Sequence, residues 1–506
     1  MRSNVFTAIM LFVIAPLGFL AADVTLPSVV GSNMVIQQNS PFVLWGWADP
    51  GENVVIRADW LEKPVEVMTG DEKEWRVTLS PPQAGGPYRI TIKGYNSIVL
   101  DNILCGEVWL ASGQSNMAWP MRKTARAAEE LPRARHDDIR LFHVNRTYAS
   151  SPRSDVKARW QLCEPEAVDN FSAVAYYFAR MLKEKLKVPV GIISSSKGGS
   201  PIEAWISEAV LREGNFTPAL DSMWQNWSRR APEDEKRYQQ ALKEWREKVK
   251  AGEVSLKKPR IPVSVKNLST KHRRPAALYN AMIAPLENYA IKGVIWYQGE
   301  SNVPRTEQFA GLFPALIKSW AAQRNRPYLP FYFSQIAPYD YKDENGPASR
   351  LREVQAGVLN LPHTGMAVIT DVGNLNDIHP IRKKEVGERL ALLALAGEYK
   401  MDTLKYSGPV LKTARKEGAD VLLSFDFASS GLVQKGDRLT GFELAGPDGR
   451  FYPAEAKIEG RQIRVYSSAV EEPRQVRFGW HIEVIPNLFN GDDLPAYPFT
   501  TRVAGR

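Results

Sequence analysis

A serine, Ser115, lies in a short polar segment that directly follows an apolar run. Residues 103–111 are largely apolar and predict a strand, and the segment Gly113-Gln-Ser-Asn-Met117 predicts a tight turn after it. In α/β proteins, reactive residues lie at the carboxyl ends of strands. A hydroxyl there becomes a nucleophile when a neighbouring base accepts its proton. Ser115 is therefore the candidate nucleophile.

The base is best sought among the six histidines of the chain, and His379 has the most suitable surroundings. It follows the apolar segment 366–370 on a loop that carries Asp377 two residues earlier. A carboxylate there can orient the imidazole and stabilise the imidazolium that forms when Ser115 gives up its proton. The other histidines lack a comparable acid on a loop that follows a strand: His136, His143, His272, His363 and His481.

Two further apolar segments end in groups that could stabilise the oxyanion of an acyl-transfer reaction. Residues 190–201 end in a turn with Gly198 and Gly199, whose backbone amides can approach a ligand closely. Residues 291–302 end in a turn with Gln298 and Asn302, whose side-chain amides are hydrogen-bond donors. Together with the backbone amide of Ser115, these groups are the candidate oxyanion donors. The residues alone do not decide between Gln298 and Asn302.

These four segments resemble the SGNH-hydrolase superfamily and, within it, the sialate O-acetylesterase-like family of carbohydrate esterases. The matching blocks are residues 113–117, 198–205, 296–302 and 377–380, and further matches at 33–37, 45–51, 278–285 and 486–490 extend the resemblance over nearly the whole chain. Three departures from the superfamily pattern concern Gln114, which replaces an aspartate, the spacing of Asn302 in the third block, and the single residue between Asp377 and His379.

The resemblance implies a fold, a reaction and a substrate. The expected fold is α/β, with a flavodoxin-like three-layer α/β/α core around a mostly parallel sheet, flanked by β-sandwich-like domains. Ser115 would be the nucleophile, His379 the general base and then acid, and Asp377 the residue that orients it, with no metal and no cofactor. The expected substrate is a sialic acid carrying O-acetyl groups, and acetylated xylan or another acetylated glycan is the alternative.

Residues near the four blocks are candidate sugar contacts, because aromatic faces stack on sugar rings and polar side chains bind hydroxyl groups. Arg352 could grip the carboxylate of a sialic acid bidentately, or it could form a structural ion pair. Trp205 could instead pack against a helix. The candidate contacts are Gln114, Asn116, Trp205, Tyr297, Glu300 and Arg352.

Two other classes of protein are weighed against the esterase. A glycoside hydrolase would use two carboxylates, for which Glu107, Glu300 and Asp371 are candidates, and it would survive the loss of Ser115. A carbohydrate-binding protein would bind sugar through its flanking β domains without turnover. The presence of Ser115, His379 and Asp377 together favours the esterase over both.

The composition is that of a globular protein with more than one domain. The chain has 506 residues, of which 44% are apolar and 24% charged, and this length exceeds what a single core usually serves. The net charge of +9 is dispersed among residues of mixed sign, which disfavours nucleic acid as a partner and is compatible with an anionic sugar. The two cysteines, Cys105 and Cys163, lie in apolar or strand-adjacent contexts and are predicted to be buried free thiols rather than a disulfide.

Changes of pattern along the chain predict its domains. Residues 1–22 predict a secretory signal peptide, and hence a secreted or periplasmic protein with no stable membrane insertion. Short β segments at 23–102 predict a sandwich-like domain, and alternating strands and helices at 103–400 predict the catalytic domain. An insertion at about 210–275 carries a predicted helix at 232–252 with an apolar stripe, and residues 401–506 predict a β-rich accessory domain. The stripe consists of Tyr238, Leu242, Trp245 and Val249.

Overall fold

A computed structural model of the protein describes residues 23–253, 256–341, 346–481 and 484–504. The predicted signal peptide, residues 1–22, lies outside the described residues. None of the helices in the described ranges is long and apolar enough to cross a membrane.

The first part of the chain consists of short strands whose side chains alternate between buried and exposed, which is the pattern of a sheet with one buried face. The second and fifth strands form an antiparallel pair, and the third, fourth and sixth join the seventh in a second antiparallel arrangement. The strands are β1 (Val35–Gln37), β2 (Phe42–Trp47), β3 (Asn53–Ala58), β4 (Val65–Met68), β5 (Glu74–Leu79), β6 (Gly85–Lys93) and β7 (Ser97–Gly113).

The strand β7 is 17 residues long and belongs to two parts of the protein. Its first part pairs with β6, from Ser97 to Cys105, and its last part, from Glu107 to Gly113, lies within a parallel sheet. Both parts therefore belong to one 11-stranded sheet. The domain boundary expected after residue 102 falls inside this strand.

The middle of the chain alternates strands and helices, as the sequence predicts. Its elements are α1 (Ala127–Glu130), β8 (His136–His143), β9 (Trp160–Cys163), α2 (Pro165–Asp169), α3 (Ala173–Leu186), β10 (Val190–Ser196), α4 (Glu208–Glu213), α5 (Thr217–Lys250), α6 (Val263–Ser269), α7 (Ala277–Met282), β11 (Gly293–Tyr297), α8 (Thr306–Ala322), β12 (Phe331–Ser334), α9 (Pro347–Gly357), β13 (Thr364–Ala367) and α10 (Lys383–Tyr399). The strand order is β13-β12-β11-β7-β10-β8-β9, and every neighbouring pair is parallel except β8 with β9. The mixed α/β class is confirmed.

Both faces of this sheet are buried. Trp109 and Ala111 of β7 belong to an apolar cluster with α3 and α10, whereas Val108 and Leu110 belong to a second cluster with α8. Because successive side chains of a strand point to opposite faces, a strand buried on both faces has to be apolar throughout. This explains why the segment before Ser115 lacks the alternation of the N-terminal strands.

The helix of the insertion is longer than expected. It begins at Thr217 rather than near residue 232, and Pro232 lies inside it. The predicted segment 232–252 therefore covers only the C-terminal part of this helix. Of the predicted apolar stripe, Leu242 is buried, whereas the side chain of Val249 is 44% exposed.

After α10, all the regular secondary structure in the described ranges is β. Two four-stranded antiparallel sheets, in the orders β14-β15-β20-β19 and β18-β17-β21-β23, share one apolar cluster, and β16 pairs with β22. The strands are β14 (Val410–Glu417), β15 (Asp420–Asp426), β16 (Leu432–Gln434), β17 (Phe442–Ala445), β18 (Phe451–Pro453), β19 (Glu455–Glu459), β20 (Gln462–Tyr466), β21 (Gln475–Phe478), β22 (Leu488–Asn490) and β23 (Phe499–Arg502).

Both cysteines are buried and unpaired, which confirms the prediction of free thiols. Burial in apolar surroundings raises the pKa of each thiol to about 12, because the thiolate would lose its hydration. Neither sulfur is therefore a nucleophile at neutral pH.

Gly113 ends β7 in a conformation that requires glycine. Its φ is +135°, and a Cβ there would lie 2.3 Å from the carbonyl oxygen of Tyr297 on β11. We expect Gly113→Ala to lower the free energy of unfolding by about 2 kcal/mol or more, through backbone strain and overpacking. Urea denaturation of the purified protein measures this.

The matched control is Gly357→Ala at the end of α9. Gly357 has a helical φ of −60°, and a Cβ there would meet nothing within 4 Å. This variant should keep the free energy of unfolding of the wild type or raise it by up to about 1 kcal/mol. Equal stability of Gly113→Ala and the wild type would contradict the analysis of Gly113.

Candidate active site

Three neighbouring strands bring the predicted blocks together. In the parallel register, Gly113 at the end of β7 lies opposite Ser196 of β10 on one side and Tyr297 of β11 on the other. The loops that follow these strands carry Ser115, Gly198 and Gln298. They therefore leave the sheet at the same edge and side by side.

The hydroxyl of Ser115 is in direct hydrogen-bond contact with the imidazole of His379. Ser115 Oγ lies 2.9 Å from His379 Nε2, although 264 residues separate them along the chain. The ring of Trp119 stacks on that of His379, with 4.9 Å between centroids and 16° between planes, which limits how the imidazole can turn. A hydroxyl held in this way can pass its proton to the imidazole.

Asp377 lies on the side of the imidazole away from Ser115. Its Oδ1 is 3.4 Å from His379 Nδ1 and also accepts a hydrogen bond of 2.9 Å from the His379 backbone amide. A proton held on Nδ1 toward this carboxylate leaves Nε2 free to accept one from Ser115. The side chain of Asp377 is 52% exposed, so water weakens its electrostatic effect on the ring.

The surroundings of His379 favour the neutral imidazole. Burial is the main cause that lowers its pKa, and the cations Lys383 and Lys123 lower it further, whereas Asp377 acts in the opposite direction. The pKa of His379 therefore lies below its ordinary value of 6.5. At neutral pH the ring is ready to accept a proton.

The side chain of Asn116 joins the serine loop to the histidine loop. Its Nδ2 donates to Glu300 Oε1 over 2.5 Å and to the carbonyl of Ile378 over 3.0 Å, and its Oδ1 accepts from Lys383 Nζ over 2.5 Å. Asn116 and Glu300 are buried, so the expectation that they contact the sugar is corrected. They hold Ser115 and His379 in position instead.

Lys383 is a functional residue that the sequence analysis missed. It is the first residue of α10 and is 1% exposed, whereas lysine is almost always solvated. Burial lowers the pKa of Lys383 and raises that of Glu300, because each charge loses its hydration. The one available signal was its place four residues after His379. Trp119, four residues after Ser115, was missed in the same way.

The glycine block lies directly against the nucleophile. A Cβ on Gly198 would be 3.4 Å from Ser115 Cβ, so the backbone of this loop passes beside the serine. Gly199 adopts a φ of +70°, and its carbonyl accepts a hydrogen bond from the guanidinium of Arg273. The structure thus brings the predicted glycines to the site.

The two predicted side-chain donors to the oxyanion are engaged elsewhere. Gln298 Nε2 donates to Asn302 Oδ1 over 2.6 Å and to the carbonyl of Ser200 over 3.3 Å, and Asn302 Nδ2 donates to Glu203 Oε2 over 3.2 Å. Both side chains are fully buried. This corrects the expected oxyanion role of Gln298 and Asn302, because their amides fasten the third block to the glycine loop.

Three more predicted sugar contacts lie inside the protein. Trp205 is fully buried and its Nε1 donates to Ser200 Oγ over 2.9 Å, and Tyr297 is fully buried within β11. Gln114 is 3% exposed and its Oε1 accepts from the Ser301 amide over 3.3 Å. These residues stabilise the loops of the site and present almost no surface to a substrate.

Arg352 does not face the site as a carboxylate receptor. It is 2% exposed, and its Nη2 donates to the carbonyls of Gly479 over 2.7 Å and Trp480 over 2.8 Å. The guanidinium therefore binds the C-terminal β region to α9. This corrects the expected contact with a sialic acid.

The carboxylates considered for a glycoside hydrolase are bonded to other side chains. Glu107 accepts hydrogen bonds from Gln38 over 2.6 Å and from the Tyr399 hydroxyl over 2.7 Å. It lies six residues before Gly113 on β7, and hence about 20 Å from the end of the strand. Asp371 is held bidentately by Arg389, at 2.6 and 2.8 Å. Within the described ranges, the structure holds no cluster of three histidine, cysteine or acidic residues suited to a metal ion.

Comparison with known proteins supplies an independent view of the chain. Residues 105–274 and 261–395 match the family of carbohydrate esterases described as sialic acid-specific acetylesterases. The sialate O-acetylesterase of Rattus norvegicus is 30% identical over 530 residues, covering 95% of this chain and 94% of that protein, and that of Homo sapiens is 30% identical over 448 residues, covering 81% and 78%.

A solved structure agrees with these relatives. The chain matches a carbohydrate acetylesterase from Xanthomonas citri with a TM-score of 0.79 and 34% identity, over 95% of this chain and 99% of that one. A mixed α/β fold that pairs a serine with a histidine at one edge of its sheet suits a hydrolase, and these matches make the protein a carbohydrate esterase. More narrowly, the chain belongs to the sialic acid-specific acetylesterase family.

The lowered pKa of His379 sets the acid limit of activity. Only the neutral imidazole accepts a proton, so kcat/KM should fall as the pH drops through the pKa of His379. We expect the midpoint of this fall below pH 6.5, since that pKa is lowered from 6.5. Hydrolysis of p-nitrophenyl acetate, a neutral substrate, measures the profile, and a midpoint at or above 6.5 would contradict the analysis.

Removal of the Lys383 charge should shift that profile. In Lys383→Met, Asn116 loses a donor and His379 loses a nearby cation. We expect kcat to fall roughly tenfold through misplacement of Ser115 and His379, and the acid midpoint to move to higher pH. The control is Lys384→Met, whose ammonium lies 3.9 Å from Glu388 and bonds neither loop. An unchanged midpoint in Lys383→Met would refute the assigned influence on His379.

Proposed function

We propose that this protein removes O-acetyl groups from sialic acids through an acyl-enzyme formed on Ser115. The observation that carries the proposal is the 2.9 Å contact between Ser115 Oγ and His379 Nε2 at the convergence of the family's sequence blocks. The substrate class is supported by the relatives, which are named sialate O-acetylesterases.

The first half of the reaction forms the acetyl-enzyme. Ser115 Oγ attacks the carbonyl carbon of the acetyl ester while its proton passes to His379 Nε2. The tetrahedral intermediate then collapses, the bond to the sugar oxygen breaks, and His379 returns the proton to that oxygen. Asp377 stabilises the imidazolium that exists between these two transfers.

The second half releases acetate. A water molecule gives a proton to His379 Nε2 and attacks the carbonyl carbon of acetyl-Ser115. Collapse of the second tetrahedral intermediate breaks the bond to Ser115 Oγ, which recovers its proton from His379. The products are the deacetylated sugar and acetate.

The backbone amides of Ser115 and Gly198 are the oxyanion donors in this proposal. Gly198 lies against Ser115, and the side-chain amides of Gln298 and Asn302 are already hydrogen bonded within the protein. Preorganised backbone donors stabilise the developing negative charge without reorganising during the reaction.

The proposal includes the remaining expectations from the sequence. The core is the three-layer SGNH arrangement, supported by the two apolar clusters on opposite faces of the sheet. The protein is secreted or periplasmic, supported by the positively charged start, apolar run and small residues of segment 1–22.

A neutral acetylated glycan is the second candidate substrate. The solved structure that resembles this chain is described as a carbohydrate acetylesterase, without reference to sialic acid. The chemistry at Ser115 is the same for both substrates, so the comparison of substrates decides between them.

Acetate release from O-acetylated N-acetylneuraminic acid and from acetylated xylan tests the proposal. The wild type should act faster on the sialic acid, and Ser115→Ala should lower the rate roughly 10⁴-fold or more, because the attacking group is lost. The control is Ser151→Ala on an exposed loop. Wild-type rates in Ser115→Ala would refute the mechanism, and a preference for xylan would refute the sialic acid assignment.

A further inference from the structure

A group of basic side chains lies beside Ser115. Lys197 follows β10 and its backbone amide donates to the carbonyl of Gly113 over 3.0 Å, which places it next to the start of the serine loop. Arg146 follows β8, the next strand along, and its Nη2 donates to the carbonyl of Ala118 over 3.4 Å. Both cations therefore stand at the edge of the sheet from which Ser115 projects.

The insertion adds further basic groups to the same edge. Arg273 donates to the carbonyl of Gly199, and His272 lies near the backbone of Gly198, where burial lowers the pKa of His272 to about 4 and leaves its ring uncharged at neutral pH. The charges of Lys197, Arg273 and Lys266 all act on His272, so these side chains form one group around the glycine loop.

Lys197 and Arg146 have little compensating negative charge. Among the described residues, neither Lys197 nor Arg146 forms an ion pair, and the cation Arg146 acts on Lys197 with no acid opposing it. Of the nearby acids, Glu203 binds Arg305 at 2.7 Å and also acts on Arg273, and Asp169 binds Arg122 at 3.2 Å. Neighbouring cations without compensating acids attract anions.

Lys197 is the member best suited to bind a ligand. It is partly exposed and, within the described part of the chain, forms hydrogen bonds only through its backbone, whereas Arg273 is buried and its guanidinium already binds Asn267 and Gly199. Lys197 also directly precedes Gly198, which lies against Ser115. A sugar whose acetyl group is at Ser115 therefore lies next to the loop residue that carries this ammonium.

We propose that Lys197, with Arg146 beside it, forms an anion subsite that binds the carboxylate of the acidic sugar deacetylated at Ser115. The inference rests on the proposed function and deepens it, because it names the residues that distinguish an acidic sugar from a neutral one. It replaces Arg352 in the role that the sequence suggested for that residue.

The test compares O-acetylated N-acetylneuraminic acid with its methyl ester, which lacks only the negative charge. The wild type should prefer the acid roughly tenfold in kcat/KM, mainly through KM, since a hydrogen bond to a charged group is worth about that factor or more. Lys197→Met should bring the ratio of the two kcat/KM values close to one, and Lys197→Arg should restore most of the preference.

The matched control is Lys318→Met. Lys318 is an exposed lysine near the end of α8, about 18 Å along that helix from its start at the active-site edge. This variant should keep the wild-type preference, and circular dichroism shows that each variant is folded. A wild type with no preference for the acid, or a Lys197→Met with the full preference, would overturn the subsite.

Failure of the proposed function gives a different result. A wild type that deacetylates neither the acid nor its methyl ester would refute the sialic acid assignment and leave the subsite to be tested by inhibition. Glucuronate should then inhibit p-nitrophenyl acetate hydrolysis more strongly than its methyl ester, and Lys197→Met should lose that difference. Equal inhibition of the wild type by both compounds would overturn the subsite as well.

Discussion

The parallel register on both edges of β7 is the constraint on which the active site depends. Hydrogen bonding to β10 and β11 places Gly113 opposite Ser196 and Tyr297, so three chain segments leave the sheet at one point. The fit is close enough that no side chain can stand at position 113. A shift of one residue in this register would turn every side chain of β7 to the other face and separate the loops.

Hydrogen bonds between buried polar side chains then hold these loops in fixed positions. Asn116 joins the serine loop to the histidine loop, and the bonded amides of Gln298 and Asn302 join the third block to the glycine loop. Such groups stabilise a structure only when their hydrogen bonds are made, because an unpaired polar group in the interior is costly. Most residues around Ser115 therefore stabilise its position, and few of them are exposed enough to contact a sugar.

The charged side chains near the surface have a different role from the buried ones. Lys383 and Glu300 are buried and hold the loops together, whereas Lys197 is partly exposed, Arg146 is exposed, and neither forms an ion pair among the described residues. Lys383 and Glu300 affect the rate of the reaction, because they position Ser115 and His379. Lys197 and Arg146 affect the choice of substrate, because charges near the surface attract ligands of opposite charge.

The sequence by itself determined the class of the fold and the reacting pair. The continuous apolar runs predicted strands buried on both faces, and the polar turns after them marked Ser115, His379 and the glycine block, because local periodicity and turn residues depend only on near neighbours. Tertiary structure decided which polar side chains point inward. Asn116, Trp205, Tyr297 and Arg352 have the chemistry of sugar contacts, but they are buried by elements distant in the chain. For the same reason, nothing in the sequence distinguishes Lys383 from a solvated lysine. It belongs to the site because the fold brings Asn116 of the serine loop against it.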